Sequence, residues 1–171
     1  MHSPEKKVKI FRAKGDISEI IKDAVVNSGL RGKKRIYIKP NLSHPEYLPG
    51  VVTSPEMMQQ LVGLLRDGNS EVIVGESNGI NYPCWTAFDK TGMKAAVEAA
   101  GGIAINLSED KVVEVKFQTS TPLKRLYLPK TVLDADAVVD LALMKTHEFD
   151  QTAPQRQADS RTDRVDPATV Y

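Results

Sequence analysis

Cysteine is almost missing from this sequence: Cys84 is the only one in 171 residues. One thiol makes no intrachain disulfide, and it cannot supply the roughly four ligands of an iron–sulfur cluster. The composition suits a reducing compartment, so a cytoplasmic protein is expected. Long apolar runs are also missing. Nothing approaches the ~20 residues of a membrane-spanning helix. The polar start, Met1-His2-Ser3-Pro4-Glu5-Lys6-Lys7, lacks the apolar core of a signal peptide. No membrane is expected as a partner. Charge of one sign is not in excess, since 23 Lys and Arg stand against 22 Asp and Glu for a net charge of +1. There is no basic stripe and no aromatic ladder, so nucleic acid is not expected either. Lys33-Lys34-Arg35 is short and reads as a solvated edge before a strand. No dinucleotide fingerprint, P-loop or nucleophile elbow occurs, and Lys145-Thr146 lacks a preceding glycine-rich turn.

What is present is an alternation of apolar strands and amphipathic helices. A chain of this length reads as one domain and can bury roughly two-thirds of its unfolded surface. Val8-Lys9-Ile10-Phe11 alternates and predicts a first strand. Asp16 reads as an N-cap with Glu19 at the capping-box position. Ile17, Ile20, Ile21, Ala24 and Val25 then fall on one helical face, with Gly29 as the stop. Arg35–Lys39 predicts a buried strand, with Pro40 interrupting its ladder. The loop Asn41–Thr53 is long for a strand-to-helix connection, and loops of that length are often functional. Ser54 as N-cap and Pro55 at the first helical position start a helix whose Met57, Met58, Leu61, Val62, Leu64 and Leu65 face inward until Gly68. Those methionines are core residues.

Further strands are expected at Glu71–Gly75, Ile103–Leu107 and Ala137–Leu143. Short helices are expected at Thr86–Thr91 and Met93–Ala100. Lys111–Phe117 and Lys124–Leu128 predict an outlying hairpin, and Pro129–Leu133 a short helix. The expected fold class is α/β: a three-layer arrangement, mostly parallel sheet with helices on both faces and a small antiparallel hairpin. One domain is expected over residues 1–149. From Asp150 to Tyr171 the chain is polar and aperiodic, and a disordered or replaced end is expected there.

Three strands run into polar residues. Ile36-Tyr37-Ile38 leads to Lys39 and Asn41; Val72-Ile73-Val74 leads to Glu76 and Ser77; the 138–143 run leads to Lys145 and His147. In open α/β sheets ligands bind beyond the carboxyl ends of the strands. The expected ligand site is therefore Lys39, Asn41, Ser54, Glu76, Ser77, Lys145 and His147. The two lysines suit a small anionic or polar ligand, and the helix start at Ser54 offers amide donors to it. The competing structural readings make Lys39 and Lys145 solvent-facing, or pair Glu76 with Lys39 or Lys145 as a structural ion pair. As a functional group Glu76 suits a general base or a metal ligand. His44, Glu76, His147 and Glu148 form a divalent-metal site only if loops bring them together, and no HxH or HExxH spacing supports it. No metal ligand is assigned. Cys84, between Pro83 and Trp85, reads as a packed thiol.

Five stretches taken together resemble family 362 of the domains of unknown function. They are Lys39-Pro40-Asn41-Leu42, Val52-Thr53-Ser54-Pro55-Glu56, Gly75-Glu76-Ser77, Ala87-Phe88-Asp89-Lys90-Thr91-Gly92 and Met144-Lys145-Thr146-His147, with Asn106-Leu107-Ser108-Glu109-Asp110 between. The resemblance spans roughly Lys33–Glu148. Its members are uncharacterised and are sometimes fused to ferredoxin-like iron–sulfur modules. The resemblance thus implies a link to redox metabolism and a ferredoxin-like partner, but no reaction. No cluster is expected in this chain, because any cluster of the family lies in the fused or partner module. After Lys145-Thr146-His147 the family pattern continues into a threonine-containing run and a Lys-Asn-Leu-like stretch, which is absent here. The expectations are an α/β domain binding a small polar or anionic ligand, an accessory domain of an iron–sulfur electron-transfer system, or a truncated inactive domain.

Overall fold

A computed structural model describes residues 10–11, 17–68, 70–116, 124–143 and 169–170. Its elements are α1 (Ser18–Asn27), β1 (Arg35–Pro40), α2 (Pro55–Asp67), β2 (Glu71–Glu76), α3 (Cys84–Lys90), α4 (Met93–Ala99), β3 (Ile103–Asn106), a 3-10 turn (Leu107–Glu109), β4 (Val112–Lys116), β5 (Arg125–Pro129), α5 (Lys130–Leu133), β6 (Ala137–Leu141) and β7 (Thr169–Val170). The fold is α/β. Four parallel strands lie in the order β3-β2-β1-β6, and the two-residue β7 adds to β6. β4 and β5 form a separate antiparallel pair.

The sequence explains the central strands. Successive side chains of a strand point to opposite faces. Ile36 and Ile38 of β1 and Val72 and Val74 of β2 point to one face and are fully buried. Met58, Leu61, Val62 and Leu65 of α2, Phe88 of α3 and Val97 of α4 pack against them. Tyr37 and Ile73 point the other way and are also buried. The Tyr37 hydroxyl donates to the Gly75 carbonyl at 2.8 Å. A Cβ on Gly75 would come within 2.9 Å of Tyr37 Cε2 and Ile105 Cγ1, so glycine alone fits there. The starts of β1 and β6 are tied together, because Asp136 Oδ2 accepts from the Lys34 and Arg35 amides at 2.9 Å each.

Several boundaries differ from expectation. β1 reaches one residue beyond the expected Lys39 and ends on Pro40 itself. Pro40 sits in the ladder opposite Leu141 of β6, while the pairing with β2 runs only to Ile38. A missing amide matters only on the side where that residue must donate. Ile10 and Phe11 are exposed and outside any strand, while Val8 and Lys9 lie outside the described residues. Helix α1 begins at Ser18 without a side-chain cap, and Asp16 also lies outside the described residues. Gly29 and Gly92 follow α1 and α3 with φ of 72° and 76°, the left-handed stop that glycine favours. β6 ends at Leu141, two residues early. Of the expected polar tail, Thr169–Val170 pairs with β6.

The long loop after β1 is closed at its base. The Asn41 amide donates to Thr53 Oγ1 at 2.8 Å, and the Thr53 amide donates to the Asn41 carbonyl at 2.9 Å. Leu42 and Val52 form an isolated antiparallel bridge and are buried. The Thr53 hydroxyl reaches across to the Leu141 carbonyl at 3.0 Å, which fixes the start of α2 beside the ends of β1 and β6.

Candidate functional site

The carboxyl ends of β1, β2 and β6 meet around one lysine. Lys39 Nζ lies 2.9 Å from Glu76 Oε2 and donates to the Pro40 carbonyl at 3.1 Å. The other Glu76 oxygen accepts from the Ser77 amide at 2.9 Å, with the Ser77 hydroxyl at 3.4 Å. The Lys39 and Glu76 side chains are only 16% and 11% exposed, so the pair is largely removed from water. Asp140 of β6 is in register with Lys39. The described edge thus holds one cation between two carboxylates. An ammonium group carries three donors. Two of those of Lys39 are used, and among the described residues no partner is found for the third.

Burial pushes the Asp140 carboxyl above its ordinary value of 3.8; Lys39 opposes that rise and Glu76 adds to it. The folded protein therefore holds this proton more tightly than the unfolded chain. The favourable contribution is fully present below the unfolded value and is lost as pH rises through the folded one. Asp140→Asn is accordingly expected to raise Tm at neutral pH and to leave it unchanged near pH 3. Melting curves of parent and variant across that range measure it, and an equal Tm at neutral pH would contradict it.

Around this edge the remaining groups are kept neutral. Burial first, then Glu76 and Asp140, push the Tyr37 phenol well above its ordinary value, which keeps it a hydrogen-bond donor. Burial, followed by Glu76, pushes the Cys84 thiol up to about 12, and its Sγ donates to the Glu76 carbonyl at 3.1 Å. A thiol so placed is packing and not a nucleophile at neutral pH. The Tyr82 hydroxyl donates to the Leu42 carbonyl at 2.7 Å and links the loop after β2 to the loop after β1.

The other expected site residues fare differently. Asn41 spends its amide group on the Val51 carbonyl at 3.1 Å, so its side chain holds the loop. The Ser54 hydroxyl accepts from the Met57 amide at 3.2 Å and caps α2. Because Pro55 has no N–H, the first turn of α2 has fewer amides to offer, and Glu56 adds a carboxylate to the same turn. Lys145 and His147 lie outside the described residues, as does Glu148. His44 Nδ1 accepts from the Glu46 amide at 3.1 Å within its own turn. Among the described residues no three His, Cys, Asp or Glu side chains come together as a metal site.

Sequence reasoning missed Asp140, which was absorbed into an apolar strand. A lone carboxylate inside such a run is itself a signal, since aspartate is rarely buried without a partner. It also missed a polar network beside β3. Buried Asn106 donates from Nδ2 to Glu109 Oε1 at 2.9 Å and to Asn78 Oδ1 at 3.2 Å. Asn78 Oδ1 accepts the Cys84 amide at 2.8 Å, and Trp85 Nε1 donates to Glu109 at 3.0 Å. This network fixes the loop that follows Glu76.

Four of the short motifs singled out in the sequence therefore have a place at one sheet edge, while Ala87–Gly92 forms the end of α3 and its glycine stop. Lys39–Leu42 ends β1, Val52–Glu56 closes its loop and starts α2, Gly75–Ser77 ends β2, and Asn106–Asp110 anchors the neighbouring turn. No helix of the described residues is long and apolar enough to cross a membrane. No curated protein matches the chain. A family model described as a domain of unknown function, DUF362, matches residues 36–153, about two-thirds of the sequence. Order of motifs, fold and family match agree, and the chain belongs to the DUF362 family of domains of unknown function.

Proposed function

We propose that this protein binds a small polar ligand, carrying an anionic group, at the carboxyl edge of its sheet. The observation that carries the reading is the Lys39–Glu76 pair, 2.9 Å apart and largely withdrawn from water. Buried ion pairs contribute little net stability, because desolvation consumes most of the Coulomb gain. A pair kept at the edge where α/β sheets take ligands is better accounted for by recognition. The open donor of Lys39 meets the anionic group. Glu76 and Asp140 accept from hydroxyl or amino groups of the same ligand. Lys145, four residues beyond the end of β6 in the sequence, is the second cation proposed for that group.

Phosphate and succinate test the reading. Either is expected to stabilise the parent by about 2.7 kcal/mol at roughly 100 times its dissociation constant. Tm is measured against anion concentration at constant ionic strength, so that screening is held fixed. The paired substitution Lys39→Met with Glu76→Gln removes both charges and keeps the side-chain stems. It is expected to lose the response, and Lys145→Met to weaken it. Equal responses in the parent and the paired variant would reduce the edge to ordinary surface.

A further inference from the structure

The hairpin of β4 and β5 stands apart from the main sheet, and two strands alone are marginally stable in water. Val113, Val115, Leu126 and Leu128 point to one side and are half-buried, while Val112 and Tyr127 on the other are each 59% exposed. The hydrogen-bond phase of the ladder can be read. The Lys130 amide donates to the Lys111 carbonyl at 2.7 Å, and hydrogen-bonded pairs alternate along an antiparallel ladder. Val113 and Val115 therefore bond inward to β5, and Val112, Glu114 and Lys116 turn their N–H and C=O groups outward. On β5 the outward positions are Arg125, Tyr127 and Pro129, and Pro129 has no N–H. Among the described residues no strand pairs with the outer edge of β4.

We propose that this edge pairs with the same edge of a second copy of the chain, giving a four-stranded antiparallel sheet across a two-fold axis at Val115. Charge selects that register. An axis at Glu114 would set two carboxylates face to face, whereas the axis at Val115 sets Glu114 against Lys116 of the second copy, twice. Both are outward residues, so each such pair exchanges two backbone hydrogen bonds, and Val115 meets its own copy on the apolar side. The pairing also relieves a strain in the single hairpin. Lys116 and Arg125 are cross-strand partners of like charge, and only Arg125 reaches Glu114, at 3.8 Å. The second copy brings its Glu114 to Lys116.

Sedimentation equilibrium over a range of concentrations tests this. The parent is expected to pass from 18.8 kDa toward twice that mass as concentration rises. Lys116→Glu and Glu114→Lys each set like charges against each other across the axis and are expected to weaken association by about tenfold or more. Both sites are exposed, so Tm is expected to change little in either variant. The swapped pair, Glu114→Lys with Lys116→Glu, restores opposite charges and is expected to associate like the parent. A parent that stays monomeric up to about 0.5 mM, a weaker affinity than a specific interface gives, would overturn the proposal. So would single variants that associate as tightly as the parent, or a swapped pair that does not recover.

Discussion

Lys39→Met is expected to lower the stability of the fold by about 3 kcal/mol or more, even though methionine keeps the apolar stem. Removing one partner of a buried ion pair leaves the other charge uncompensated, which costs about 3–5 kcal/mol when burial is complete. Glu76 is 8% exposed as a residue, so the lower end of that range applies. Its second oxygen keeps the Ser77 amide, but Oε2 loses the partner it has among the described residues. The paired variant with Glu76→Gln leaves only the half-buried Asp140 carboxyl, which burial already pushes toward its neutral form, and is expected to recover most of the loss. Urea midpoints of the parent, the two single variants and the pair complete a double-mutant cycle. Additive effects would show that the two groups do not couple, and the charged edge would then lose its meaning as a unit.

The second large effect belongs to the core. Phe88→Ala is expected to cost about 3–5 kcal/mol, the range for emptying a buried aromatic site. Phe88 is 0% exposed, and its ring lies 5.7 Å from that of Trp85 at 44°. It packs in the cluster with Met58, Val62 and Met93, whose own side chains are fully buried. Neighbours so placed have little room to collapse into the space. For a chain of this size the loss corresponds to a fall in Tm of roughly 10 °C. Urea unfolding with an unchanged m-value measures it directly. A loss below about 1 kcal/mol would mean that α3 is held by something other than its apolar face.

The strands at the centre of the sheet were legible because they are buried on both faces. Ile36-Tyr37-Ile38 and Val72-Ile73-Val74 leave no polar position to mistake for a surface, and the strand-to-helix signal Ser54-Pro55 is local chemistry. That Lys39 and Glu76 fall at strand ends was legible for the same reason. Their contact was legible only as one of two pairings, Glu76 with Lys39 or with Lys145, because the choice depends on β1 and β2 being neighbours, which no local pattern states. Asn41 illustrates the opposite limit. Its position beyond a strand suggested a ligand contact, yet its side chain holds Val51 in the loop. A backbone carbonyl ten residues away is invisible to periodicity. Asp140 escaped because β6 reads as apolar, and one carboxylate was averaged into the run. The 8–11 stretch has the alternation of a strand, but Ile10 and Phe11 make no ladder. Alternation alone does not supply a neighbour.

The strand order also carries a consequence for synthesis. β1 lies between β2, which follows it closely, and β6, whose tie to it through Asp136 spans 101 residues of sequence. As the chain leaves the ribosome, β1, β2 and β3 can assemble with α2, α3 and α4 while β6 is still unmade. For that interval the future centre of the sheet is an open edge, able to pair with any extended segment nearby. Contacts between distant parts of a chain form slowly, so the exposure continues until β6 docks. The Thr53–Leu141 hydrogen bond, spanning 88 residues, is then among the last to close. The nascent protein is thus most exposed to misassembly just before its final described strands arrive, and the ligand edge is completed only at that step.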